Sequence, residues 1–237
     1  MPRSWIVMQA LIVVFVIAGI VVAVVKLVAP GNGYVSVAVT PTSPAEPSIA
    51  TISVVAPFTS AQGIALSGLP SSIDVTLQKG FASTATTAVT SLCTAADASS
   101  AACPPGSNAG HGELDVTVNG QTQRVQLLLY VGPPLHPHDV ASLVMTAAGR
   151  LIDTARVLTT PGGGLELITS PLSYSARANF DKLFLVLGTQ RTTKTRHHAT
   201  LRSLISNPPT CSGQWTGQGT VTFPNGSFSQ AAAIPCG

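Results

Sequence analysis

The chain has 237 residues, of which 45% are hydrophobic and only 9% charged, with a formal net charge of +3. Soluble domains carry about 25% charged residues, so the composition argues against an ordinary cytosolic enzyme, and its apolar content argues against disorder. Two of the basic residues, Arg3 and Lys26, flank the first apolar segment, and the balance left for the rest is too small to point to nucleic acid.

From Ile6 to Val25 the chain reads IVMQALIVVFVIAGIVVAVV, with Gln9 its only strongly polar side chain. At about 1.5 Å per residue this stretch spans roughly 30 Å, the hydrocarbon thickness of a bilayer. Trp5 and Lys26 stand where interfacial anchors belong. A cleaved signal peptide would carry a shorter apolar run of about 7–15 residues and a small-residue cleavage site. Here Leu27-Val28-Ala29 runs into Pro30. Residues 1–29 are therefore expected to be a short cytoplasmic stub and one uncleaved transmembrane helix, a signal anchor in contact with the lipid bilayer through residues 6–25.

Pro30 and Gly33 stop that helix. Residues 30–48 read as a Pro-rich spacer or long loop, in which Tyr34–Val39 alternates as a first strand would. Residues 49–237 form the expected β-rich domain, with room for two sub-lobes divided near 132–139. Ile49–Val55 and Ile73–Leu77 have the β-branched alternation of half-buried strands. Leu114–Val118 and Val125–Val131 flank Asn119-Gly120, a favourable type I′ hairpin turn.

Between Val140 and Leu158 the apolar positions fit helical spacing, yet the stretch also reads as two strands turning at Ala148-Gly149-Arg150, and strands are the expectation. Leu165–Ile168 and Leu183–Leu187 are apolar enough for buried strands. Trp215–Phe223 and Phe228–Ile234 flank Pro224-Asn225-Gly226; with Asn225 and Gly226 as the turn, Trp215 would stand opposite Cys236. The fold class expected is mostly β, a β-sandwich-like extracytoplasmic domain behind one N-terminal helix.

Cys93, Cys103, Cys211 and Cys236 form an even set without C-x-x-C spacing, which favours disulfides over zinc. Of the three connectivities, Cys93–Cys103 and Cys211–Cys236 are preferred because each brackets a short segment. Disulfides require an oxidising compartment, so the domain is expected outside the cytoplasm, on a single-pass protein of the cell membrane.

The run Cys93–Gly110 contains Cys-Pro-x-x-Ser-x-x-Gly with a cysteine ten residues upstream, and the tail reads Asn207-Pro208-Pro209-Thr210-Cys211, Trp215 and Pro235-Cys236. These two patches resemble uncharacterised secreted or membrane-anchored β-rich surface proteins of high-GC Gram-positive bacteria. The resemblance implies the same disulfide pairing and a β fold, and it implies no reaction.

Candidate chemistry is sparse, and no cofactor and no catalytic residue is expected. His136-Pro137-His138-Asp139 could present two imidazoles to one side of an extended segment, with Asp139 or His111 as third metal ligand; the competing reading is an exposed Pro-rich turn. Arg191, Lys194, Arg196 and Arg202 make the main basic cluster, a candidate contact for anionic wall polymers; the competing reading is a solvated loop. Gly106-Ser107-Asn108-Ala109-Gly110 departs from the G-x-S-x-G nucleophile turn, and Pro161-Gly162-Gly163-Gly164 lacks the GK[ST] of a phosphate loop. The function expected is non-enzymatic: a membrane-anchored surface module of the cell envelope, with a structural or interaction role toward other envelope proteins or wall polymers. The alternatives are an envelope metalloprotein or enzyme centred on His136, His138 and Asp139, and a ligand-binding β-sandwich.

Overall fold

The computed structural model describes residues 16–17, 20–21, 33–172, 174–175, 177–192 and 199–237. Of the segment for which a membrane helix is expected, only β1 (Val16–Ile17) and β2 (Ile20–Val21) are described, paired antiparallel; the rest of Ile6–Val25 lies outside the described residues. Among the described residues no helix is long and apolar enough to cross a membrane.

Gly33–Gly237 forms a single compact unit. It begins with β3 (Tyr34–Thr40), β4 (Pro47–Val55), β5 (Phe58–Thr59), β6 (Ala65–Leu66), β7 (Ser72–Leu77) and β8 (Ala82–Ser83). Two short helices follow, α1 (Ala85–Ala88) and α2 (Ala95–Ser99), then β9 (Asn108–Val118), β10 (Gln121–Gly132), β11 (Asp139–Ala147) and β12 (Arg150–Thr159). The chain continues through β13 (Leu165–Ile168), β14 (Ala178–Leu187), β15 (Thr189–Thr192), β16 (Ala199–Arg202), β17 (Ile205–Ser206), β18 (Gln214–Phe223) and β19 (Gly226–Pro235). The unit is mostly β, built on one large antiparallel sheet.

The sheet has 13 strands in the order β19-β18-β7-β13-β12-β11-β10-β9-β14-β4-β17-β8, with β3 also paired to β4. Strands β3 and β4 alternate buried and half-exposed positions along their length, the period-2 pattern read from their sequences. Tyr34–Thr40 is thus a working strand of the sheet, and Pro41, Pro44 and Pro47 lie in or beside the β3–β4 turn. The connection at 133–138 joins two neighbouring strands of the same sheet, so it divides no sub-lobes.

The Val140–Leu158 stretch is a hairpin, β11 and β12, turning at Ala148 and Gly149, whose φ angles are 47° and 75°. Its helix-like spacing has a physical cause: β11 is buried on both faces. Leu143 and Met145 lie in the main core, while Val144 packs outward against Cys93 and Ala98 beside α2. A strand covered on both sides loses its alternation.

The last hairpin corrects one expectation. Phe223 pairs with Gly226, so Pro224 and Asn225 form the turn and Trp215 stands opposite Ile234, not Cys236. Proline's fixed φ suits the first central turn position, and the Asn225 amide donates to the Ala65 carbonyl. The two-residue shift leaves Trp215 on the inner face, where it is buried edge-on to Phe81 and donates from its indole nitrogen to the Thr210 carbonyl.

The two disulfides are Cys93–Cys103 and Cys211–Cys236, and no described cysteine is free. The first closes the α2 loop, which packs on the outer face of β10 and β11; the second ties the approach to β18 to the end of β19.

Candidate functional site

Asp139 opens β11, and its side chain is fully buried at the rim of the sheet. Its carboxylate is already engaged. Arg156, on the neighbouring strand β12, reaches Oδ1 through Nη2 at 2.7 Å and both oxygens through Nε at 3.1 Å. The His136 backbone N–H donates to Oδ2 at 3.0 Å, and the His136 ring nitrogen Nδ1 lies 3.3 Å from the same atom. The guanidinium first, with the His136 contacts, holds the Asp139 carboxyl below the usual carboxylate range against the opposing cost of burial. Asp139 raises the Arg156 guanidinium in return.

The turn is further tied by the Asp139 N–H donating to the His136 carbonyl and the Ser142 hydroxyl donating to the Pro133 carbonyl. His138 is exposed. His111 belongs to another part of the sheet. It faces Leu128, which faces Thr146, seven residues along β11 from Asp139, or about 23 Å at strand rise. Among the described residues no three His, Cys, Asp or Glu gather to hold a metal ion. What the arrangement does chemically is neutralise one buried carboxylate and close a Pro-rich turn, and its lone pairs are turned to arginine and backbone.

Of the basic cluster, Lys194 and Arg196 lie outside the described residues. Arg191 pairs with Thr200 and Arg202 with Thr189 on the two strands of the β15–β16 hairpin, so the local backbone gathers them on one element. Ser107, in the glycine-bracketed turn, is buried and donates its hydroxyl to the Pro104 carbonyl at 2.6 Å. It is a turn residue with its proton engaged.

Three features escaped the sequence reading. Asp153 is a buried carboxylate facing Met145, with Oδ2 lacking a hydrogen-bond partner. Glu166 and Asp74 stand close on adjacent strands, and burial first, then the neighbouring charge, raises Glu166. An apolar cavity of about 40 Å³ lies in the core between Val37, Val75, Leu143 and Leu204. No local motif signals any of them, because each is assembled from strands distant in the chain. Comparison with protein-family models gives no match, and neither curated proteins nor solved structures give a significant one.

Proposed function

We propose that this chain is a non-enzymatic, membrane-anchored module of the cell envelope, its β domain displayed outside the cytoplasm in a structural or interaction role. The observation that carries the reading is the Asp139 site: both carboxylate oxygens are taken by Arg156 and His136, and among the described residues no cluster of ligands gathers there. A catalytic or metal centre needs free lone pairs converging on one point. The two disulfides support an oxidising location, and the uninterrupted Ile6–Val25 run supports an uncleaved anchor. The β-sandwich form of the domain belongs to the same reading, supported by a sheet whose first and last strands lie side by side.

A contact with anionic wall polymers through Arg191, Lys194, Arg196 and Arg202 is a second reading, favoured by the hairpin that gathers Arg191 and Arg202.

The test is a set of melting curves of the full chain and its His136→Ala/His138→Ala variant, each with and without stoichiometric zinc or copper. The variant should differ by less than about 1 kcal/mol, the range of surface substitutions, and metal should shift neither curve. A gain of several degrees with metal in the wild type alone replaces this reading with the metalloprotein.

A further inference from the structure

The end of the domain where the chain enters is built differently from the opposite end. Gly33 is pinned there: its N–H donates to the Pro57 carbonyl, and a side chain at this position would collide with Val55, Pro57 and Phe58. Directly beyond, β5 and β6 form a small hairpin whose turn is closed by the Ser60 N–H donating to the Ile64 carbonyl at 2.9 Å. The hairpin has a firm base. Phe58 packs on Phe228 and Phe223 with ring centroids 4.9 and 5.9 Å apart, and Asn225 of the β18–β19 turn donates to Ala65 at 3.0 Å. At the tip Ile64 is 52% exposed, the most exposed large apolar side chain among the described residues.

Around the hairpin the loops are free of formal charge, and the loop charges at this end are the cations Arg177, beside the β9–β10 turn, and Arg150, in the β11–β12 turn. Residues 56–71, 118–122 and 222–227 contain no Asp, Glu, Lys or Arg. The opposite end carries Glu46, His136, His138 and Asp139, and the β15–β16 hairpin with its arginines leaves from there as well. An uncharged hairpin with an apolar tip, on an end whose flanking charges are cations, is suited to the headgroup region of a bilayer, where a branched aliphatic gains by burial and arginines meet anionic lipid.

We infer that this end of the domain lies against the membrane surface, with the β5–β6 hairpin as its contact and Ile64 at the point of insertion. The inference rests on the anchor reading above and adds an orientation to it. Chain length keeps Gly33 within reach of the bilayer: residues 26–32 between the apolar run and Gly33 extend at most about 24 Å. The domain therefore stands as a short-tethered cap on the bilayer, presenting His136 and Cys211–Cys236 outward.

The experiment uses the full chain in vesicles of equal parts phosphatidylcholine and phosphatidylglycerol, with an environment-sensitive fluorophore on Ile64→Cys, Gln62→Cys or Leu135→Cys. Gln62 shares the tip and is polar and exposed, so its replacement leaves folding intact; Leu135 is at the opposite end and 45% exposed. Labels at 62 and 64 should shift to shorter emission wavelength and be quenched several-fold more strongly by headgroup spin-labelled lipid than the label at 135. Equal quenching at all three positions, in protein that stays with the vesicles through carbonate washing, overturns the apposition and leaves the anchor standing. Protein that washes off, or that is recovered with a mature N-terminus between Ala23 and Gly33, overturns the anchor reading itself.

Discussion

Asp153 faces the core because β12 carries a bulge. Met145 pairs with Asp153 but Thr146 pairs with Leu151, which leaves Ile152 as the extra residue and turns the following carboxylate inward. Its Oδ1 accepts from the Ser170 hydroxyl and, at 2.6 Å, from the Thr154 N–H, while Oδ2 is buried without a partner. Burial outweighs these donors and pushes the carboxyl from 3.8 up to about 6. The folded state thus holds its proton more tightly than the unfolded chain does. Stability from this group rises as pH falls from above 6 toward 3.8, and at neutral pH the buried charge costs on the order of 2–3 kcal/mol. Asp153→Asn should therefore raise the urea midpoint at neutral pH, and its advantage over wild type should shrink to near zero by about pH 4. Equal midpoints at neutral pH would show the carboxylate to be solvated. Nothing in the linear sequence separates Asp153 from the exposed Asp97, since only the bulge and the neighbouring strands bury it. His136, His138 and Asp139 were legible as a cluster, but Arg156, which engages Asp139, lies seventeen residues away on the next strand.

Turns were the most legible elements. Asn119-Gly120 takes φ angles of 53° and 78°, the paired left-handed values of a type I′ turn, and so sets the β9–β10 register. Ala148-Gly149 takes nearly the same angles, yet Ala148 carries a Cβ that the left-handed region disfavours. Ala148→Asn should raise stability by about 0.5–1 kcal/mol, read as a higher denaturant midpoint with unchanged slope; a loss would mean that the alanine methyl makes a needed contact. Where a turn offered two readings, local chemistry did not decide. Pro224-Asn225-Gly226 admits two registers of equal parity, and the Asn225 bond to Ala65, on a hairpin 160 residues away, accompanies the one adopted. The short pieces β5, β6, β8 and β17 were not legible at all, because two residues carry no periodicity.

The largest feature is the approach of the domain's first strand to its last. Strands β3 and β19 run side by side: the Val35 N–H donates to Gln230 Oε1 at 2.9 Å, and the Thr42 hydroxyl donates to the Gly237 carbonyl at 3.0 Å, both pairs separated by 195 residues. Gly219 on β18 leaves the space that Val35 occupies, and a Cβ there would fall onto that side chain. Gly219→Ala should cost about 1–3 kcal/mol by overpacking, seen as a lowered melting temperature, and Gly219→Ala/Val35→Ala should lose less than the two single changes added together. The Cys211–Cys236 bond, 25 residues apart, staples the start of β18 to the end of β19. Replacing both cysteines with alanine should cost roughly 3 kcal/mol from restored chain entropy, and non-reducing peptide mapping should recover Cys93 with Cys103 and Cys211 with Cys236.

By itself the sequence determined what depends on neighbours in the chain: the β composition, the principal hairpins, the two cysteine pairs that bracket short loops, and the apolar run at the N-terminus. Tertiary structure alone decided the strand order, in which β7 pairs with β13 and β18 across 88 and more residues, along with the burial of Asp153 and the capture of Asp139 by Arg156. The reason is the range of the forces involved. Turn geometry and side-chain alternation act over two to four residues and leave a local signature, whereas cross-strand pairing and desolvation depend on which strands the sheet brings together.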